Sequence, residues 1–177
     1  MQKLILVKPA EVYQKSFLAG YGELSTQLER SAWVYLGDDE DLDAHLGDFP
    51  AYLKTLRGRE LKTIENPVPF QVYWGLLDHE IVGRIGIRTE LNDFFKTVGG
   101  HVGFFVRPSF RKRGIATAML AEILKTEAAK AIGKILVTCD SDNIASEKTI
   151  VSCGGVFESE IEHGGEGRKK KRFWINL

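Results

Sequence analysis

The sequence predicts a single α/β domain on a central, mixed but mostly antiparallel sheet of about seven strands, with about four helices. Three observations predict it. Strand-like runs follow one another with short breaks from residue 68 to residue 107. One continuous apolar run, KILVTC from Lys134 to Cys139, stands between two helical segments, as a buried parallel strand does. Two more strand-like runs close the chain. A length of 177 residues with 44% hydrophobic and 27% charged residues suits one compact domain. At this size about 70% of the unfolded surface can be buried, so no disulfide or metal staple is needed.

In chain order, KLILVK at residues 3–8 predicts a short strand. Pro9 then opens a segment, Glu11 to Arg30, in which Val12, Phe17, Leu18, Leu24 and Leu28 allow one or two helices. The acidic run DDEDLD, residues 38–43, favours a helix start, and Leu42, Leu46, Phe49, Leu53 and Leu56 recur every three or four residues. Pro50 interrupts or shifts that helix. Residues 68–77 and 81–91 predict a β-hairpin around the turn Asp78-His79-Glu80. A third strand, Gly100 to Arg107, ends at Pro108, which cannot donate to a ladder. After a basic loop, Ile115, Met119, Ile123 and Leu124 mark one helix ending near Gly133. Asn143 to Cys153 is a short helix closed by Gly154-Gly155. Strands at 156–162 and 171–175 are joined by the loop HGGEGRK.

Composition excludes several classes. Twenty-four basic residues balance 24 acidic ones, which argues against a nucleic-acid or anionic membrane partner. The two cysteines, Cys139 and Cys153, form no C-x-x-C or zinc-type spacing, which predicts no metal and a reducing compartment. No run approaches the ~20 apolar residues of a membrane span, and the first residues lack a signal-peptide core, so a soluble, cytoplasmic protein is expected.

The chemistry concentrates in VRPSFRKRGIAT, residues 106–117, where a strand passes into a helix through basic residues and a glycine. A glycine at a helix mouth lets a ligand approach the backbone, and the free N–H groups of the first turn favour an anion. The stretch therefore suits a phosphate or pyrophosphate cradle, or a solvated basic loop. It contains neither a Walker loop nor a G-x-G-x-x-G fingerprint.

Arg111-Lys112-Arg113-Gly114-Ile115-Ala116 resembles the R/Q-x-x-G-x-G/A signature of the GNAT superfamily of acyl-CoA-dependent N-acyltransferases, and the preceding V-x-P context and the element order are similar too. Asp142 to Ser146, before a helix ending in Gly154-Gly155, looks like the family's second landmark. The runs GGHVGFFVRPSFRKRG and DNIASEKTIVSCGG resemble a subgroup of bacterial acetyltransferases. The match is specific from about Glu80 to Leu177 and topological before that.

The resemblance implies an acetyl-CoA-dependent N-acetyltransferase, with residues 1–67 as acceptor-side helices and 68–177 as the cofactor-binding core. It implies that backbone amides of Arg111, Lys112, Arg113, Gly114, Ile115, Ala116 and Thr117 hold the pyrophosphate. Main-chain groups of Phe104, Phe105 and Val106 would pair with the pantetheine arm like an added strand. Asn143 and Ser146 would contact the donor from the last helix, and the alternative for Asn143 is a plain helix N-cap. Acyl transfer needs a neutral amine, a polarised carbonyl and a proton for the leaving thiolate. His101 is the candidate base, because it stands upstream of the cradle where some family members carry a Glu and has an ordinary pKa of ~6.5. Glu90 and Asp140 are rivals that could act through water. The Tyr that often serves as general acid in the family is replaced here by Ile150, which leaves Tyr73 or water as donor.

The acceptor is expected to be an amine of a small molecule or peptide, and a homodimer stays open. A non-catalytic acyl-CoA-binding sensor or scaffold is the alternative. Cys139 could form an acyl-enzyme or simply pack in the core. The run RKKKR, residues 168–172, could attract an acidic partner or pair with Glu158, Glu160, Glu162 and Glu166. Trp33, Tyr35, Tyr73 and Trp74 are candidates for the acceptor pocket or for the core.

Overall fold

The computed structural model describes residues 3–35, 41–64, 66–165 and 167–177. Residues 38–40 of the acidic run and Glu166 therefore lie outside the described residues. Seven strands form one sheet: β1 (Ile5–Val7), β2 (Phe70–Leu77), β3 (Glu80–Arg88), β4 (Val102–Val106), β5 (Lys134–Asp140), β6 (Val156–Glu162) and β7 (Lys169–Asn176). Their spatial order is β1-β2-β3-β4-β5-β7-β6, antiparallel throughout except between β4 and β5. The expected mixed sheet and the single parallel strand are both present. Asp78 and His79, with φ of 49° and 67°, turn β2 into β3 through two left-handed residues, the twist a tight hairpin needs.

The described helices are α1 (Gln14–Gly22), α2 (Gln27–Val34), α3 (Leu42–Gly47), α4 (Phe49–Gly58), α5 (Ile115–Ile123), α6 (Glu127–Ile132) and α7 (Ile144–Ser152). Four of them, α1, α4, α5 and α7, have nine residues or more. Pro50 does interrupt the early helix, and it sits in the first turn of α4, where its missing N–H has no intrahelical partner to lose. The Asp48 carboxylate caps that turn by accepting the Ala51 N–H at 3.0 Å.

Several boundaries differ from the sequence expectation. The helix expected to run from Ile115 to Gly133 is two helices, because Thr126 Oγ1 accepts the Ala129 N–H and starts a new one. β4 begins at Val102, since Gly100 has φ 64° and follows a single π turn, Phe95–Gly99, that the sequence reading did not identify. The last strand extends over residues 169–176.

Strand alternation divides the core into two. On one face Ile85, Ile87, Met119, Leu120, Val137 and Ile150 pack beneath α5, α6 and α7. On the other, α1 to α4 cover Val72, Trp74 and Ile81 with an aromatic stack in which Phe17 lies 4.5 Å from Trp74 and 5.2 Å from Trp33. Such side chains contribute about 1.5–3 kcal/mol each when buried. Gly20 makes the second contact possible: a Cβ there would stand 2.5 Å from the Trp33 ring. Among the described residues, no helix is long and apolar enough to cross a membrane.

Candidate active site

β4 and β5 part after one pairing. Val102 lies opposite Val137, whereas on its other edge β4 keeps register with β3 up to Val106. The Arg107 N–H donates to the Val82 carbonyl of β3. Backbone groups alternate along a strand, so Gly103 and Phe105 share that edge and the N–H and C=O of Phe104 and Val106 face the gap. The Val106 carbonyl marks the direction by accepting Arg111 Nε at 3.2 Å.

Beyond β4 the chain makes a 3-10 turn, Pro108–Phe110, and enters α5 through Lys112 (φ 62°) and Gly114 (φ 74°). Left-handed residues on both sides of Arg113 gather successive N–H groups into a concave, positive turn. The Arg111 N–H is taken by the Pro108 carbonyl, but those of Lys112 to Thr117 have no acceptor among the described residues. No side chain among the described residues caps this helix, and a Cβ built at Gly114 meets nothing within 4 Å. The result is an open turn of backbone donors at a helix N-terminus. Arg111 is held in place by Glu29 (2.9 Å) and by the Phe105 ring, 5.2 Å from its guanidinium carbon. Below the turn, Glu23 accepts from Arg107 (2.7 Å) and from the Ser109 N–H (3.0 Å). Partial burial opposes ionisation of Glu23, but these donors together hold its carboxyl below the usual range.

α7 starts at the same end of the parting. Asn143 caps it, its Oδ1 accepting the Ser146 N–H at 3.0 Å, and the Asn143 side chain is exposed. Ile150 is fully buried in the core, so the position where a tyrosine was expected carries no polar group.

The three candidate proton acceptors stand apart. His101 is 8% exposed and joins the two strands where they still meet: its N–H donates to the Leu136 carbonyl at 2.7 Å, and its Nδ1 accepts the Leu136 N–H at 2.9 Å. Burial, with the Arg88 charge acting in the same direction, holds the imidazole below its usual pKa. The neutral ring therefore carries its proton on Nε2 and has no lone pair to spare. Glu90 is exposed just beyond β3 and paired with Lys62. Asp140, at the end of β5, is paired with Lys170 at 2.8 Å.

A cavity of about 730 Å³ opens on the α1–α4 face, between α2, the loop after α4 and β3. Its lining includes Tyr35, Arg59, Phe70, Arg84, Arg88 and Phe95, and no acidic residue among the described ones. Of the four candidate aromatics, Tyr35 lines this cavity, whereas Trp33 and Trp74 are wholly buried in the core. Tyr73 points to the opposite face and donates to Gln71. The sequence reading missed Arg84 and Arg88. Their signal was present in IVGRIGIR, where two arginines four residues apart share one face of an otherwise apolar strand.

Two further expectations resolve locally. Cys139 is buried, and burial pushes its thiol up to about 11, so little thiolate exists near neutrality. In the basic run, Lys169, Lys170, Lys171 and Arg172 pair with Glu160, Asp140, Glu147 and Glu158 at 2.6–3.1 Å. Among the described residues no cluster of three or more His, Cys, Asp or Glu could hold a metal ion.

The family model of the acetyltransferase (GNAT) family matches residues 18–154. No curated sequence matches the chain significantly. Among solved structures, the microcin C7 self-immunity acetyltransferase MccE, in complex with acetyl-CoA and AMP, is 12% identical at a TM-score of 0.66, over 100% of this chain and 94% of that one. RimJ from Mycobacterium smegmatis, in complex with CoA-disulfide, is 19% identical at 0.65, over 98% and 81%. The ribosomal L7/L12 alpha-N-protein acetyltransferase RimL, in complex with coenzyme A, is 16% identical at 0.64, over 100% and 96%. At these identities the likeness is one of fold.

Proposed function

Because the chain belongs to the acetyltransferase (GNAT) family, we propose that it transfers the acetyl group of acetyl-CoA directly to a primary amine of a small molecule or peptide. Acetyl-CoA supplies an acetyl group activated as a thioester. Everything else is the work of the chain. The observation that carries the reading is the parting of β4 from β5 beside a helix N-terminus with six amides unpartnered among the described residues.

That turn fits a pyrophosphate. Backbone donors from Lys112 to Thr117 would bind its oxygens, with Arg111, Lys112 and Arg113 adding positive charge and Gly114 leaving room. The gap-facing backbone edge, Phe104 with the Val106 N–H, suits the amides of a pantetheine arm, which would lie along it as an extra strand beside Phe105, and the Val106 carbonyl is held by Arg111. A gap-facing N–H of this strand would polarise the thioester carbonyl. Asn143 and Ser146 would border the arm from α7.

The acceptor must attack as a neutral amine. Arg84 and Arg88 disfavour a second positive charge in the cavity and so lower the pKa of an amine bound there. Of the three candidates, the Nδ1 of His101 is engaged by Leu136, and both carboxylates are ion-paired, Glu90 with Lys62 and Asp140 with Lys170. Glu90 is favoured as final proton acceptor through water because it precedes the cavity-lining Asn92, whereas Asp140 lies away from that cavity. A second reading, a non-catalytic acyl-CoA-binding module, is favoured by the burial of Ile150 where a general acid was expected.

Calorimetry with acetyl-CoA, using ATP as nucleotide control, followed by turnover assays on an amine library, tests both. The expected result is micromolar-range binding that ATP does not reproduce, and acetylation of some amine. Binding without turnover on any amine would favour the module, and no binding would overturn both readings.

A further inference from the structure

The structure assigns to the cavity a subsite for an anionic group, and we propose that the acceptor is an amine that also carries a carboxylate or phosphate. This deepens the acetyltransferase reading and rests on it.

Arg84 and Arg88 are 4% and 8% exposed, and no carboxylate pairs with either among the described residues. Buried charges are ordinarily paired, because removing an ion from water costs several kcal/mol. Here π faces and neutral oxygens are the only partners among the described residues. The Tyr35 ring lies 3.9 Å from the Arg84 guanidinium carbon and stacks at 4.4 Å on Phe70. The Arg88 guanidinium carbon lies 4.7 Å from the Phe70 ring and 3.9 Å from that of Phe95. Arg88 donates to the Gly100 carbonyl and to the Tyr35 hydroxyl, and Arg84 Nε to the Ala32 carbonyl.

These contacts hold the guanidiniums rigidly and neutralise nothing. Arg84 Nη1 is buried with no hydrogen-bond partner among the described residues, whereas buried polar groups are ordinarily hydrogen-bonded. Burial lowers the Arg84 pKa to about 10, so the group remains cationic near neutrality. The two guanidiniums line one cavity and keep N–H donors beyond those bonds, and guanidinium is the group that recognises carboxylate and phosphate. The site is adjacent to the reacting strand: Arg84 is paired in register with Phe105, and the Arg88 N–H donates to the His101 carbonyl. An anion held there would direct the amine at the other end of the molecule toward the parting of β4 and β5.

The test compares acceptors that differ only in the anion: the dipeptide Ala-Ala against its C-terminal amide, and phosphoethanolamine against ethanolamine, each with acetyl-CoA. The anionic member of at least one pair is expected to have kcat/KM about tenfold or more above its neutral partner, and the pair that responds distinguishes carboxylate from phosphate. Arg84→Met, which keeps the stem and removes the charge, should erase the preference while leaving acetyl-CoA affinity unchanged. Should that variant fold poorly, Arg84→Lys keeps the charge without the fork and should retain part of the preference.

Independently of turnover, with coenzyme A saturating the pyrophosphate turn, malonate or inorganic phosphate at constant ionic strength should raise the Tm of the wild type and not that of the variant. Acetylation that ignores the anion, or equal Tm responses of wild type and Arg84→Met, would overturn the subsite and leave the acetyltransferase reading standing. Failure of acetyl-CoA to bind would bring down both.

Discussion

Single residues here do work that their chemical type does not announce. His101 looks like a catalytic base because an unburied imidazole titrates near neutrality. Its surroundings give it another occupation, since both its N–H and its Nδ1 are committed to Leu136 and it closes the fork between β4 and β5. The depressed pKa has a consequence for stability. Below about pH 6.5 the unfolded chain takes up a proton that the folded imidazole resists, so acid favours unfolding. Above that pH both states are neutral and the effect is absent. The Tm is therefore expected to fall as pH is lowered from about 7.5 to about 5.5, a range above the carboxylate titrations. His101→Gln, whose amide oxygen can still accept the Leu136 N–H, should lose about 1 kcal/mol at the higher pH and show a flatter decline. Parallel pH profiles for the two proteins would show that the His101 proton does not contribute.

At the scale of elements, the decisive feature is a failure of pairing. β4 satisfies one edge against β3 and leaves the other open beyond Val102, and the chain that follows opens α5 with N–H groups that no side chain caps. These two adjacent sets of backbone groups are open to solvent, and under the proposed function they are what the donor would pair with. Gly114 is the sensitive point, with its positive φ and open surroundings. Gly114→Glu should reduce acetyl-CoA affinity more than tenfold, because it puts a carboxylate where phosphates are expected, with about 1–2 kcal/mol of backbone strain. Gly114→Ala carries the strain without the charge and should retain most of the affinity. Calorimetry on the two variants, with circular dichroism to verify folding, separates these effects.

At the scale of the molecule, the two halves read from the sequence share one sheet. β1 comes from the first half and pairs with β2 from the second, and α1 to α4 cover Trp74, Ile81 and Val72, which are at most 2% exposed. Stripping away residues 1–67 would uncover those side chains at about 1.5–3 kcal/mol each, against a typical total stability of 5–15 kcal/mol. A fragment of residues 68–177 is therefore expected to show no cooperative thermal transition, whereas the whole chain shows one. A fragment that melts sharply and binds acetyl-CoA would reveal an autonomous donor-binding unit.

Local chemistry was legible without coordinates. Strand runs, the Asp78-His79 turn, the buried strand core Ile135–Val137 and the glycine at the mouth of α5 follow from side-chain periodicity and backbone preference, which act over a few neighbouring residues. The break at Thr126 and the π turn before Gly100 were less legible, because competing local hydrogen bonds differ by small energies. The cavity was not legible at all. Arg84 and Arg88 are isolated charges on a strand until α2, the loop after α4 and Phe95 close around them, and His101 is a free imidazole until Leu136 comes up beside it. Burial and partnership are properties of residues distant in sequence and near in space. They set the protonation and charge balance of this site, and no reading of neighbours along the chain contains them.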